Sequence, residues 1–372
     1  MTIHWTNLTM TLSLRSVALL LGLICSSSQA QTPESRGDRY LILERNYQTD
    51  CIVLFQTIFN VGQLAYVDRL QHQAALSKLD LLTGECTQLF TADNAPDGLE
   101  AVAVSDRYAL VKGGLFNRHT IYDRTSWQPK GTLRFKDQIA ASLIVGDTLW
   151  LVQNQNDSAA YEGSQVLFRF SLPDLKLVES RPLGTEGHRA TTIGSTFLLY
   201  DSGHLVSYDP STRERKEVTF PFQRQGTWKH RNGVVSSIGC GGDVELIGTD
   251  KVLARTSCHS YGLFDLATFK INYEVTIGEN SIFARAFGVG DLLFVLEESS
   301  SDPGKFMGGL QYDVQVLDIR TGRRIASLMP LVSHSYTRLV HFGDRLVRAV
   351  HRKEKPHGFD VEVYRLAGKA LE

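Results

Sequence analysis

Three observations predict an all-β chain, a seven-bladed β-propeller of four-stranded blades. Seven times an apolar, a small and a polar residue introduce a fresh apolar run: Val61-Gly62-Gln63, Val104-Ser105-Asp106, Val145-Gly146-Asp147, Ile193-Gly194-Ser195, Ile247-Gly248-Thr249, Val289-Gly290-Asp291 and Phe342-Gly343-Asp344. Their central residues lie 43, 41, 48, 54, 42 and 53 positions apart, and a strand-rich unit of that period is the pattern of a propeller blade. Six of the hinges are followed by a second motif, a strand running into an Asp, Pro, Ser, Thr or Gly turn, at residues 78–84, 121–125, 168–174, 206–212, 263–268 and 316–322. The third observation is an extended segment, residues 39–45, ahead of the first hinge.

Each hinge reads as the turn between the first and second strands of a blade, and each second motif as the turn between the third and fourth, because these residue types supply tight-turn chemistry. The last blade has only three strands of its own, at 336–342, 345–351 and 359–366. Residues 39–45 have the length to be its fourth strand, which closes the ring and leaves no long open edge. The polar stretches 154–158, 299–304 and 351–355 fall between second and third strands, so they are expected on one face of the disc, as solvated connectors or as binding loops.

Residues 1–30 read as a signal peptide: Arg15, a short apolar run over 17–24, and small residues ending in Ala30. The run is shorter than the ~20 residues a membrane span needs. Ile24 stands where a lipoprotein signal ahead of Cys25 would carry a small residue, so cleavage is expected after Ala30. The organisation that follows is a leader, a flexible segment over 31–38, and one propeller over 39–372, in a secreted or periplasmic protein with no membrane span. The net charge of −1 excludes the basic field that a nucleic-acid or anionic-membrane partner requires.

Export allows disulfides. Cys240 and Cys258 sit nine residues either side of position 249, the centre of the fifth blade's first hairpin, which places them opposite each other on adjacent strands and predicts a bond. Cys51 and Cys86 are expected not to pair, one preceding an innermost strand and the other opening an outermost one, a blade width apart.

Familiar catalytic strings are missing: there is no G-x-S-x-G elbow, H-E-x-x-H helix, Walker loop or C-x-x-C pair. No metal site or cofactor is assigned. The informative pattern is positional. Five residues before each hinge's small residue, on the strand that lines the channel, stand Thr57, Glu100, Ala141, Arg189, Asp243, Arg285 and Arg338. An inserted residue in the Gly248 turn would move Asp243 out of this register. His188 and His334 stand just ahead of such strands, and His230 lies in the long approach to the fifth blade. Guanidinium forks suit carboxylates and phosphates, so Glu100, His188, Arg189, Arg285, His334 and Arg338 form a candidate pocket for a small anionic ligand. The opposing reading is a water-filled polar channel whose charges neutralise one another. Tyr108, Trp150 and Phe294 read as core between blades, and Trp228, in an irregular segment, as a surface-recognition residue.

The repeat, the leader and the segment from Gly239-Cys240 through Cys258 to Gly262-Leu263-Phe264-Asp265 resemble the quinoprotein amine dehydrogenase-like (YVTN-type) group of seven-bladed propellers. The segment is similar to one in the heavy chain of bacterial amine dehydrogenases. The resemblance implies a scaffold whose cofactor belongs to a small partner subunit. Three readings stay open: an exported scaffold binding a protein or ligand through one face and the channel mouth; a channel-centred lactonase-like or hydrolytic enzyme using Glu100 and the histidines with a divalent metal; and the heavy subunit of a periplasmic dehydrogenase complex.

Overall fold

The computed structural model describes residues 40–51, 59–70, 74–92, 98–113, 118–155, 164–185, 189–201, 203–223, 225–229, 235–239, 244–278, 281–300, 310–332, 337–352 and 358–367. All of them belong to one compact unit, Gly37–Glu372. From the channel outward, blade 1 is β2 (Phe59–Val61), β3 (Leu64–Leu70), β4 (Ala74–Asp80) and β5 (Cys86–Ala92). Blade 2 is β6 (Leu99–Val104), β7 (Tyr108–Gly113), β8 (Arg118–Asp123) and β9 (Pro129–Arg134). Blade 3 is β10 (Ile139–Val145), β11 (Thr148–Asn154), β12 (Gln165–Ser171) and β13 (Lys176–Pro182). Blade 4 is β14 (Arg189–Ile193), β15 (Thr196–Asp201), β16 (His204–Tyr208) and β17 (Arg215–Thr219).

A two-stranded hairpin, β18 (Gln225–Lys229) and β19 (Val235–Gly239), intervenes before blade 5. It accounts for the widest hinge spacing and places Trp228 in a strand, where the sequence had suggested irregular chain. Blade 5 is β20 (Val244–Ile247), β21 (Lys251–Arg255), β22 (Ser260–Asp265) and β23 (Lys270–Thr276). Blade 6 is β24 (Ser281–Val289), β25 (Leu292–Ser300), β26 (Leu310–Asp318) and β27 (Arg324–Val332), all nine-residue strands. Blade 7 is β28 (Thr337–Phe342), β29 (Arg345–His351), β30 (Phe359–Leu366) and, as its outermost strand, β1 (Leu41–Thr49). The ring therefore closes as the sequence predicts, β1 pairing with β30 from Leu41↔Leu366 to Thr49↔Phe359.

The hinges are the first-to-second-strand turns. In blades 1, 3, 4, 6 and 7 a two-residue loop joins the paired positions Val61↔Leu64, Val145↔Thr148, Ile193↔Thr196, Val289↔Leu292 and Phe342↔Arg345. Glycine occupies the first loop position with positive φ, the requirement of a type II′ hairpin turn. The fifth hinge carries one extra residue, with Ile247 opposite Lys251. The stretches 154–158, 299–304 and 351–355 do connect second to third strands, and most of their residues lie outside the described ones.

Among the described residues the buried apolar side chains form seven clusters, one in each seam between neighbouring blades. Tyr108, Trp150 and Phe294 are buried in three of them, as expected.

One expectation is overturned. Cys51 and Cys86 are joined, their Cα atoms 6.4 Å apart. Cys51 does precede the innermost strand β2 in sequence, but it directly follows β1, which lies on the outer rim of blade 7. Sheet twist turns that outer strand across the seam toward blade 1, where Cys86 opens the outer strand β5. Both cysteines border the blade 7–blade 1 core, Cys51 fully buried. Cys258 is also disulfide-bonded. The β20–β21 ladder is centred on position 249, as the predicted partner requires, and Cys240 itself lies outside the described residues.

Candidate functional site

The innermost strands of blades 1 to 4 enclose a cleft of about 500 Å³. Its walls are mostly small: Ala101 on β6, Ala140, Ala141 and Ser142 on β10, and Ala190 and Thr191 on β14. Short side chains on adjoining inner strands leave space that larger ones would fill. Ser142 is held in place by donating its hydroxyl to the Val102 carbonyl of the preceding blade at 2.8 Å.

Charge enters the cleft from blade 2. The ladder sets Glu100 of β6 opposite Lys112 of β7 and Lys112 opposite His119 of β8, a row running outward from the channel, and all three residues border the cleft. Glu100 Oε2 lies 3.9 Å from Lys112 Nζ, with both side chains partly exposed, 36% for Glu100 and 40% for Lys112. His119 is buried and meets Phe135 edge-on at 5.6 Å. Such an open acid–base pair can receive a complementary charged group, an arrangement that selects a partner more than it tightens binding.

The opposite side of the channel is occupied by its own charges. Arg285 of β24 donates to Glu245 of β20 at 3.2 Å across the blade 5–blade 6 seam. In the next blade His341 stacks on Phe287 at 4.5 Å. Burial pushes its imidazole below the ordinary histidine range, and the Arg285 charge adds to this against opposing effects of Gly343 and Asp344. His341 is thus held toward its neutral form.

The sequence-predicted residues divide accordingly. Glu100 and Ala141 border the cleft, while Arg285 is engaged with Glu245. Arg189 opens β14 opposite Tyr200, immediately before the cleft-lining Ala190, and Arg338 lies in β28 opposite Ala349. Thr57, His188, His230, Asp243 and His334 lie outside the described residues. Among the described residues no group of three His, Cys, Asp or Glu side chains could hold a metal ion, and no helix is long and apolar enough to cross a membrane. Lys112 and His119 were missed from the sequence. Counting outward from the Ser105-Asp106 turn would have set Lys112 near Glu100, but the bulge between Ala101 and Ala103 shifts that count by one.

No family model matches the chain, and no curated protein matches it. Solved structures do match in fold. BamB from Moraxella catarrhalis superposes with a TM-score of 0.52 at 12% identity, covering 88% of this chain and 100% of that one. The β-propeller domain of Cps50 (Swd1) from Myceliophteria thermophila gives 0.54 at 10% identity, with 88% and 100% covered. A chain of the mitotic checkpoint complex gives 0.55 at 11% identity, with 98% and 99% covered. At these identities the likeness is one of fold alone.

Proposed function

We propose that this chain is an exported protein-binding scaffold that receives its partner at the channel mouth, over the cleft of blades 1 to 4. The observation that carries this reading is the asymmetry of the channel. On one side, small side chains leave about 500 Å³ beside Glu100 and Lys112, which stand 3.9 Å apart; on the other, Arg285 donates a hydrogen bond to Glu245 at 3.2 Å. A seven-seamed ring is a rigid platform, and a rigid platform loses little entropy when a partner docks. The fold shared with BamB, Swd1 and a chain of the mitotic checkpoint complex is in keeping with this role, and fold alone does not assign function. The leader-like residues 1–30 and the Cys51–Cys86 bond support an oxidising, extracytoplasmic location.

The test is native mass spectrometry with metal analysis on protein purified from its own host. A stoichiometric partner protein is expected. It should be lost with either Glu100→Lys or Lys112→Glu and stay lost when both are made together, because the double swap restores the internal pair but reverses the charge pattern that the partner meets. A stoichiometric metal or small molecule in place of a protein would overturn the scaffold reading in favour of the lactonase-like or hydrolytic one. A small cofactor-bearing subunit as the partner would sharpen it to the heavy subunit of an amine-dehydrogenase-like complex. A bare monomer would remove the channel mouth from consideration.

A further inference from the structure

The seam between blades 3 and 4 opens, beyond its apolar cluster, into a second and smaller groove of about 230 Å³. Trp150, Arg169, Glu179, Pro210, Ser211 and Arg213 border it. The β12–β13 ladder sets Leu167 opposite Arg181 and Arg169 opposite Glu179, so the charged residues continue outward from the buried Leu167. Arg169 lies over the Trp150 ring and Arg181 over the Tyr208 ring, each 5.1 Å from the ring centre. This stacking fixes two guanidiniums at the seam.

Their hydrogen-bonding capacity is not used up. One carboxylate oxygen, Glu179 Oε1, stands 3.4 Å from both Arg181 Nε and Arg213 Nη2. Only the Arg213 contact is aligned as a hydrogen bond. Arg169 Nε, Arg181 Nε and Nη2, and the Tyr208 hydroxyl are buried with no hydrogen-bond partner. Buried donors left unpaired are costly and uncommon. The neighbouring acids are committed elsewhere. Asp147 pairs with Arg107 at 3.0 Å. Asp209 accepts from the Ser211 and Thr212 amides and the Ser211 hydroxyl. Glu214 pairs with Lys216, and Glu217 with Arg215 and His204. Two guanidiniums, those of Arg181 and Arg213, thus share the Glu179 carboxylate, while Arg169, which borders the groove, keeps an unpartnered Nε.

We propose that this groove is an oxyanion site, taking the carboxylate or phosphate group of a small molecule between Arg169 and Arg213, the two guanidiniums that border it. Guanidinium forks match both groups in geometry and charge, and the volume is below the ~300 Å³ at which drug-sized ligand pockets begin. The proposal does not depend on the channel-mouth reading, since the two sites share no residue.

Isothermal titration calorimetry at low ionic strength tests it, with inorganic phosphate as one probe and succinate as the other. Saturable one-to-one binding is expected for at least one probe, and which one binds identifies the source of the oxyanion. Arg213→Asn, which keeps a residue tolerant of the φ of +65° at this turn, should weaken binding about tenfold, the scale of one lost charge-assisted bond. Arg169→Met, which keeps contact with Trp150, should do the same. Glu179→Gln should instead tighten binding, because it withdraws the competing carboxylate, an outcome that a merely structural role for the cluster would not produce. No saturation with either probe, or equal affinity in Arg213→Asn and Glu179→Gln, would overturn the proposal.

Discussion

Between blades 7 and 1, Tyr47 of β1 lays its ring across Gly84 and donates its hydroxyl to the Leu81 carbonyl at 3.0 Å. Between blades 5 and 6, Tyr273 of β23 does the same over Gly322 and the Ile319 carbonyl, also at 3.0 Å. In both phenols burial is the main cause of a raised pKa, with Asp80 adding to it for Tyr47 and Asp318 for Tyr273; Tyr47 is pushed up to about 12. Both therefore remain neutral donors at physiological pH. The seams differ in the Cys51–Cys86 bond, present in the first. The difference follows from connectivity. β23 is tied to its own blade through the short turn from β22. β1 meets its own blade only through the ladder to β30, at the other end of the chain. A bond that fastens β1 to blade 1 presents it in place for β30 to dock, and so lowers the entropy lost in closing the ring.

The largest expected effect tests that bond. In the chain-entropy model a cross-link spanning 35 residues contributes about 4 kcal/mol. The Cys51→Ser/Cys86→Ser pair should therefore lower the thermal midpoint by several degrees while leaving the circular dichroism spectrum all-β. An unchanged midpoint would mean that the β1–β30 ladder closes the ring unaided.

The shared device can be broken at either seam. Gly84 and Gly322 have φ of +79° and +71°, and an added Cβ would fall 2.6 Å from Tyr47 Cδ2 or 2.5 Å from Tyr273 Cδ2. Backbone strain and overpacking together set the cost of Gly84→Ala or Gly322→Ala at about 2–4 kcal/mol. Similar losses in urea unfolding are expected at the two seams; a loss at neither would dismiss the device. The other seams with such a turn solve the same problem from the opposite side. There the left-handed position is Trp127, Leu175, Arg213 or Phe269, a residue that brings a side chain of its own to the seam. Trp127 stacks on Phe90 and Arg213 reaches Glu179 across their seams, and Leu175 leans on Gly131, where a Cβ would have no room.

This contrast explains what could be read in advance. The hinges and the Asp turns repeat because every blade meets the same geometric demand, so strand order, ring closure and the seam aromatics follow from the pattern. The Cys51–Cys86 bond did not, because twist carries an outer strand across a seam and a linear repeat count does not include that displacement. The channel was legible only in part. Of the positions five before each hinge, Glu100, Ala141, Arg189, Arg285 and Arg338 do lie on innermost strands, but which partner a charge there finds, Lys112 of its own blade for Glu100 or Glu245 of the adjoining one for Arg285, depends on register and on the neighbouring blade. Arg285 meets its partner Glu245 from a strand 40 residues away, and nothing in the spacing of the repeat marks Glu245 as that partner. The blade 3–blade 4 groove escaped notice for a similar reason: its two arginines, Arg169 on β12 and Arg213 in the turn between β16 and β17, come from different blades.

The smallest effect lies in the turns on which the two tyrosines rest. Asp80 is partly desolvated, which alone would raise its pKa, but hydrogen bonds from Thr83, Leu82 and Gln63 outweigh this and hold it below the ordinary value. Asp318 is lowered first by the Thr321 amide; desolvation opposes this, and the Thr321 hydroxyl, the Arg320 amide and the Arg320 charge outweigh it. A carboxyl that titrates lower in the fold than in the free chain leaves the unfolded state binding more protons in that interval. The stability it supplies is present above the unfolded value near pH 4 and is lost as pH falls through the folded one. Asp80→Asn and Asp318→Asn should each lower stability slightly at pH 7 and converge on the parent protein in acid. Urea midpoints measured from pH 7 to pH 2 would show this, and a constant gap across that range would assign the loss to turn geometry rather than charge. The two variants should part at the alkaline end. Asp80→Asn removes one of the causes that raise Tyr47, so its phenolate should form at lower pH, and Asp318→Asn should do the same for Tyr273. The raised tyrosine pKa supplies stability below pH 10 that fades as pH rises through the folded value. With the Cys51–Cys86 bond intact, early ionisation of Tyr47 should loosen its seam less than ionisation of Tyr273 loosens the unstapled one.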